Sequence, residues 1–204
     1  TWQTSLAKCY QGVKSVCPVA GEPTRENLEQ AYGPEFLYQE AVNDTYPQAL
    51  VEAISQSDID AELAKRETTE NREFALGARA VAGTAEAKEW AWNEALHNDE
   101  LTNMQLESVA RGFASTPRAD LAEPYAAKYF EVADWIWQNK TFHMAEALLE
   151  GLYPSYADPA TLVDLGDAWL ASHTDADNAL QRIVRGNVES SHRTLKVRDF
   201  NASL

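Results

Sequence analysis

Apolar residues recur along this chain at intervals of three and four positions, the spacing that places side chains on one face of an α-helix. The clearest sets are Phe74, Ala78 and Val81; Leu106, Val109, Ala110 and Phe113; Leu162, Leu165 and Trp169; and Leu180, Ile183 and Val184. No segment shows a convincing alternation with a period of two, which a half-buried strand would require. The pattern predicts an all-α fold in which each apolar stripe is covered by another helix.

Capping residues mark where these helices begin and end. The predicted first-turn caps are Thr24, Thr84, Thr102 with Gln105 as a capping box, and Asp158 before Pro159. The predicted ends and connections lie at Gly33, Pro117 and Pro154. Because the connections are short, successive helices are expected to lie side by side in antiparallel pairs.

A short internal echo indicates how the pairs are arranged. Gly112 stands in an Arg-Gly-Phe string before Pro117, and Gly151 stands in a Glu-Gly-Leu-Tyr string before Pro154. The two glycines are 39 positions apart, close to the roughly 40-residue period of HEAT-type repeats. The echo favours antiparallel pairs stacked in a HEAT- or armadillo-like superhelix, with a plain helical bundle as the alternative.

Residues 1–56 are less regular than residues 57–204. They hold Cys9 and Cys17 and four of the eight prolines, and we expect two or three short helices there, packed on the same domain as the helical-repeat part that follows. Two cysteines at this spacing form neither a disulfide framework nor a zinc pattern, so free thiols in a reducing, cytoplasmic compartment are expected. The chain starts with Thr1 rather than Met, which favours a processed chain or a piece of a longer protein.

The balance of charge narrows the classes of partner. The 204 residues include 32 Asp and Glu against 17 Lys and Arg, a formal net charge of −15. No nucleic-acid partner is expected, because binding requires basic side chains to neutralise phosphates. No membrane partner is expected either, since an anionic surface repels such a chain and no apolar run approaches the roughly 18 residues of a transmembrane helix.

No pattern for metal or nucleophilic catalysis is present in the sequence. A zinc peptidase of the H-E-x-x-H type needs two histidines one helical turn apart, with a glutamate beside the first. The histidines are His97, His143, His173 and His192, and each lacks both the following glutamate and a second histidine four residues on. No G-x-S-x-G elbow or glycine-rich phosphate loop occurs either. We therefore assign no catalytic, cofactor-binding or metal-binding residue.

Two Glu-x-x-His pairs raise an alternative. Glu94 with His97 and Glu189 with His192 would each share a helix face, and two such pairs occur in di-iron helical bundles. Glutamate is abundant here, so chance explains both pairs. His97 also lies at an expected helix end, where a histidine is better explained by the negative end of the helix dipole.

Aromatic residues cluster in one predicted helix. They are Tyr125, Tyr129, Phe130, Trp135 and Trp137. At helical spacing such side chains more often form core or inter-helix contacts than a binding groove. Part of this aromatic surface is expected to stay exposed.

Short strings in the central and later parts of the chain resemble a known family. They are Asp58 to Leu63, Lys65 to Thr69, Lys88 with Ala91-Trp92, Asp99 to Asn103, Gly112-Phe113, Pro124-Tyr125, Tyr129-Phe130, Trp135 with Trp137, Ala168 to Leu170, and Leu180 to Arg182. Over about residues 57–198 the chain resembles the C-terminal helical domain of bacterial aminopeptidase N, of the actinobacterial type. That family is zinc-dependent, and its catalytic domain carries H-E-x-x-H and G-x-M-E-N motifs, neither of which occurs here.

The resemblance implies a non-catalytic role in a larger enzyme. The family's C-terminal domain is an all-helical superhelix that covers the active site, forms an internal chamber and restricts access to peptides. For this chain it implies no cofactor of its own, zinc in the catalytic domain of the parent protein, and that domain and transient peptide substrates as partners. An acidic chamber wall would favour peptides with a cationic N-terminal part. The alternative is a free-standing helical-repeat interaction module.

Overall fold

The computed structural model describes residues 55–65 and 67–202, and this part of the chain is helical without a strand. The helices are α1 (Gln56–Lys65), α2 (Thr69–Val81), α3 (Ala85–His97), α4 (Asn103–Ala114), α5 (Ala119–Ala122), α6 (Ala126–Asn139), α7 (Phe142–Gly151), α8 (Pro159–Ser172) and α9 (Asn178–Ala202), with a 3₁₀ turn at Glu123–Tyr125. The all-α prediction is confirmed. The predicted cap at Thr24, the helix end at Gly33 and both cysteines lie outside the described residues.

The predicted caps begin their helices where expected. Thr84 accepts a hydrogen bond from the amide of Ala87 at 3.1 Å, at the start of α3. Thr102 and Gln105 form both hydrogen bonds of a capping box before α4, at 3.3 and 3.0 Å. Asp158 accepts a hydrogen bond from the amide of Thr161, the third residue of α8, at 3.2 Å. Each cap satisfies an amide that has no partner inside its helix.

The helices pack in two rows. The first row consists of α1, α3, α6 and α8, and the second row consists of α2, α4, α7 and α9. Each first-row helix packs on the second-row helix that follows it in the chain, and the second-row helices contact one another in chain order. One buried apolar cluster extends from Ala80 of α2 to Val188 of α9, so the later pairs share a continuous core, while α1 and α2 enclose a smaller cluster around Ile59 and Val81. No helix in the described ranges, including the long α9, combines the length and apolar composition needed to span a membrane.

Glycines allow the second-row helices to approach closely. A Cβ atom added to Gly112 would lie 2.5 Å from the carbonyl oxygen of Gly77 and 2.8 Å from the Cβ atom of Ala80, both on α2. A Cβ atom added to Gly151 would lie 2.6 Å from the Cβ atom of Ala110 on α4. The two glycines of the sequence echo therefore occupy corresponding positions, each at a contact with the preceding second-row helix.

The last turn of α7 is closed by side chains from two other helices. The Tyr129 hydroxyl of α6 donates to the carbonyl oxygen of Leu149 at 2.8 Å. The Asn187 amide of α9 donates to the same oxygen at 2.9 Å and to the Tyr129 hydroxyl at 3.0 Å. The last carbonyls of a helix have no intrahelical donor, so these contacts satisfy an oxygen that would otherwise be buried alone.

The aromatic residues form a core and leave a small exposed surface, as predicted. The Trp92 ring lies 5.6 Å from the Phe113 ring and 5.0 Å from the Tyr125 ring, in tilted arrangements that aromatic pairs prefer. Tyr125 stands in the 3₁₀ turn that follows Pro124 rather than within α6. Trp135 remains 39% exposed.

Candidate functional site

A groove of about 840 Å³ lies between α4 and α7. Helix α4 contributes Glu107 and Arg111, and α7 contributes Glu146 and Glu150. Tyr156, from the connection between α7 and α8, also lines the groove and is 44% exposed. The groove is thus a polar surface with more carboxylates than cationic groups.

Few of the charged side chains in the groove are paired with an opposite charge. The Nε2 atom of His143 lies 2.9 Å from a carboxylate oxygen of Glu107, an exposed contact between α7 and α4. Exposed pairs of this kind contribute little to stability. Arg111, Glu146 and Glu150 form no salt bridge with any residue in the described ranges. The groove therefore keeps a negative local potential that attracts cationic groups.

The end of α7 adds to that potential, whereas at the end of α4 the Lys88 ammonium of α3 donates to two of the last carbonyl oxygens. Helix α4 ends at Ala114 and α7 ends at Gly151, and both residues line the groove. The C-terminal end of a helix carries a partial negative charge, to which cations are attracted. The groove can accordingly hold a positively charged group, but its residues offer no nucleophile paired with a base.

A buried lysine joins the helices beside this groove. Lys88 of α3 is only 2% exposed. Its ammonium donates to the carbonyl oxygens of Ala80 at 2.7 Å, Phe113 at 3.2 Å and Gly112 at 3.3 Å, and to the hydroxyl of Thr116. These carbonyls belong to the last turns of α2 and α4, where the helix dipole favours a cation.

The enclosure of Lys88 changes its proton affinity. Burial lowers the pKa of Lys88 to about 7, because a charged ammonium loses solvation in the interior. No salt bridge with a described residue offsets that loss. A lysine shielded in this way cannot reach a substrate, so its role is to hold α2, α3 and α4 together.

Lys88 belongs to the strings that carry the family resemblance, and its burial was not predicted. The sequence does contain a signal, because the apolar residues Ala91, Trp92 and Ala95 follow Lys88 at positions i+3, i+4 and i+7 and so share its helix face. A single lysine within an apolar stripe indicates a buried cation with several acceptors.

The histidines take part in contacts between helices rather than in a metal site. The ring of His97 lies 5.8 Å from the ring of Trp135. The Nε2 atoms of the other three histidines each lie near a carboxylate oxygen: His143 near Glu107 at 2.9 Å, His173 near Asp134 at 2.9 Å, and His192 near Asp167 at 3.2 Å. His97 is the last residue of α3, which confirms its predicted place at a helix end. Glu94 accepts a hydrogen bond from Asn98 at 2.6 Å.

The positions of the histidines and glutamates test the di-iron and zinc hypotheses. Within the described residues no group of three or more His, Cys, Asp or Glu side chains could hold a metal ion. The two Glu-x-x-His pairs therefore do not combine into a di-iron ligand set in this part of the chain. The donor set of a catalytic zinc ion is likewise not offered by these residues.

The fold and the groove define an all-helical domain built from successive helix pairs, with an acidic surface between two of them. The chain belongs to the ERAP1-like C-terminal domain family, whose sequence profile matches residues 34–193. The match includes every residue that lines the groove.

A curated relative agrees with this assignment. Aminopeptidase N of Streptomyces lividans is 32% identical over 155 residues, which cover 76% of this chain and 18% of that protein. The chain thus spans less than a fifth of the length of the relative that it matches. The predicted resemblance to the C-terminal domain of aminopeptidase N is confirmed.

Proposed function

We propose that this chain is the non-catalytic C-terminal domain of a zinc-dependent aminopeptidase, an enzyme that removes N-terminal residues from peptides. The observation that carries the proposal is the family match over residues 34–193 in a chain that lacks an H-E-x-x-H motif. A domain with the family's helical scaffold and without its reacting groups fits a role in access rather than in chemistry. Zinc and its Lewis-acid chemistry belong, in this proposal, to the catalytic domain of the parent protein.

The domain closes the chamber in which that chemistry takes place. Stacks of helix pairs curve, because each pair is slightly rotated against the one before it. We propose that the two rows form a HEAT-like superhelix and that the groove between α4 and α7 lies on its concave side. Peptides that enter the chamber then pass this groove, and its width and charge limit which of them are admitted.

The negative charge of the groove favours cationic peptides over acidic ones at this wall of the chamber. Glu107, Glu146 and Glu150 outnumber Arg111, and the end of α7 adds further negative potential. Cationic peptides are concentrated near such a surface and acidic peptides are repelled from it. We place the protein in the cytoplasm, where the two cysteines of the sequence stay reduced.

The experiment compares the isolated chain with the intact parent polypeptide. Pure parent protein should hydrolyse an aminoacyl-p-nitroanilide and contain about one zinc ion per chain. The isolated chain should show neither property. Turnover by the isolated chain together with stoichiometric zinc would overturn the proposal, and an open reading frame without an upstream peptidase would favour the free-standing interaction module.

A further inference from the structure

Helix α9 has a charge opposite to that of the rest of the molecule. It carries five of the 17 Lys and Arg residues and two of the 32 Asp and Glu residues, a net charge of +3. The remaining 12 basic and 30 acidic residues give the rest of the chain a net charge of −18. The basic groups are therefore concentrated on one element at the end of the second row.

The basic side chains of α9 form a stripe on its solvent face. Arg182, Arg185, Arg193 and Lys196 follow at intervals of three, eight and three, which places them within one narrow arc of the helix. All four are exposed. The opposite face contains Leu180, Val184, Val188 and Ser191, which are buried against the other helices. We call these four basic residues the basic stripe; it is about 21 Å long at 1.5 Å per residue.

Within the described residues the basic stripe is only partly offset, by Glu189, which stands in the same exposed arc four positions from Arg185 and four from Arg193 and leaves a net charge of +3. None of its four side chains forms a salt bridge there, whereas Arg198 of the same helix lies 3.2 Å from Asp158. Like charges three positions apart on a helix repel each other. An acidic partner would remove that repulsion as well as add attraction.

The surface of α9 beside the basic stripe is also open to close approach. A Cβ atom added to Gly186 would meet no atom within 4 Å. Val197 is 59% exposed at the far end of the helix. A partner can therefore contact the backbone at Gly186 and cover an apolar side chain at Val197 while pairing with the charges between them.

We infer that the basic stripe docks on a carboxylate-rich surface of the parent polypeptide outside this chain. The inference rests on the proposed function, in which this chain is one part of a larger enzyme. The matched region is 18% of the Streptomyces lividans protein, so most of a protein of that kind is available as the partner. Charge complementarity along about 21 Å of helix would fix the orientation of the last helix pair against that surface.

A protein surface suits the basic stripe better than a polyanion does. Duplex DNA or an anionic bilayer would bring many negative charges close to the whole molecule, whose other helices carry the net charge of −18. A protein surface with a few carboxylates can contact α9 without bringing negative charge close to the acidic helices.

Zero-length carbodiimide cross-linking of the intact parent protein tests the inference, because it joins an amine only to a carboxylate in direct contact. Mass spectrometry should find Lys196 linked to Asp or Glu outside residues 1–204 of the same polypeptide. Lys128, an exposed lysine of α6 in the first row, is the control amine and should not form such a link. Raising the salt concentration should reduce the Lys196 link severalfold, by screening the approach of the two surfaces.

A charge-reversal variant gives an independent readout. The variant that combines Arg182→Glu, Arg185→Glu and Arg193→Glu should reduce the yield of the Lys196 link at least about fivefold. Its helical circular dichroism spectrum should be unchanged. The control variant Lys128→Glu should not reduce the link. Links confined to residues 1–204 or to a second polypeptide would overturn the inference. So would protection of Lys196 by added duplex DNA or phosphatidylserine vesicles.

Hydrolysis of an aminoacyl-p-nitroanilide by the same preparations separates the two proposals. Activity without the link contradicts the docking surface, and the link without activity contradicts the proposed function.

Discussion

The hydroxyl of Thr116 accepts a hydrogen bond from the Lys88 ammonium and donates one to the carbonyl oxygen of Val81, 2.8 Å away. Thr116 follows the end of α4, Lys88 belongs to α3, and Val81 is the last residue of α2. One hydroxyl therefore connects three helices, and it is buried at 3% exposure.

Thr116→Val removes the donor to Val81 and one acceptor of Lys88 while keeping the shape of the side chain. The buried carbonyl then has no donor in this contact, and we expect a loss of about 2 kcal/mol of unfolding free energy. Urea titration followed by circular dichroism measures it as a lower midpoint. Thr194→Val is the control, because that exposed hydroxyl donates only within its own helix, and it should change the stability by less than about 0.5 kcal/mol. Equal losses in the two variants would contradict the connecting role of Thr116.

The titration of Lys88 makes stability depend on pH. Its pKa is about 7 in the folded chain against an ordinary 10.5, so between these values the unfolded chain binds more protons. The free energy of unfolding should therefore rise with pH, by about 2 kcal/mol from pH 7 to pH 9. Burial raises the pKa values of Tyr129 and Tyr153, so their opposing effect begins only above this window.

Lys88→Met tests the origin of that slope. The variant removes the titrating group from the same buried position, so the rise between pH 7 and pH 9 should largely disappear. Urea unfolding at several pH values measures both proteins under matched salt. A variant that retains the full slope would show that another group titrates in this range.

Glycine substitutions distinguish the close helix contact from an open helix surface. Gly112→Ala places a methyl group 2.5 Å from the carbonyl oxygen of Gly77, and we expect a loss of about 2 to 3 kcal/mol from the forced separation of α4 and α2. Gly186→Ala meets no atom within 4 Å. It should gain up to about 1 kcal/mol through helix propensity. Thermal unfolding compares the two, and a stabilised Gly112→Ala would disprove the close approach.

Neutralising the groove should change which peptides the parent enzyme accepts. In the intact protein, Glu146→Gln with Glu150→Gln should raise KM for peptides rich in Lys and Arg a fewfold, since the local attraction is weaker. The rate with a small aminoacyl-p-nitroanilide should stay the same, because the substituted residues lie outside the catalytic machinery in the proposed function. Steady-state kinetics with matched basic and acidic peptides measures the effect. A uniform fall in kcat for all substrates would contradict it.

Local features of the fold were predictable from the sequence. The Thr102 and Gln105 capping box and the buried stripe from Leu106 to Phe113 depend on residues within one or two turns, and the structure confirms both. The Gly112 and Gly151 echo was visible as well, although its meaning as a close helix contact emerges only when the helices are placed side by side.

Features that depend on distant residues were not predictable in the same way. Lys88 is explained by acceptors up to 28 positions away, and no local pattern indicates that these helix ends converge on it. The groove likewise requires α4 and α7 to become neighbours. The basic spacing from Arg182 to Lys196 could be seen in the sequence, but its solvent exposure follows from which face of α9 the preceding helices cover.

Some of the side chains that close the second-row helices come from later in the chain, and this sets the order in which the helix ends are completed during synthesis. The carbonyl oxygen of Val81 is paired by Thr116, 35 residues on, whereas that of Leu149 is paired by the earlier Tyr129 and also by Asn187, 38 residues on. During synthesis from the N-terminus, α2 therefore leaves the ribosome before the hydroxyl that pairs with Val81 has been made, and α7 leaves it with one of the two donors to Leu149. Slow translation just after α2 would prolong the interval in which its last carbonyl oxygen lacks the hydroxyl of Thr116.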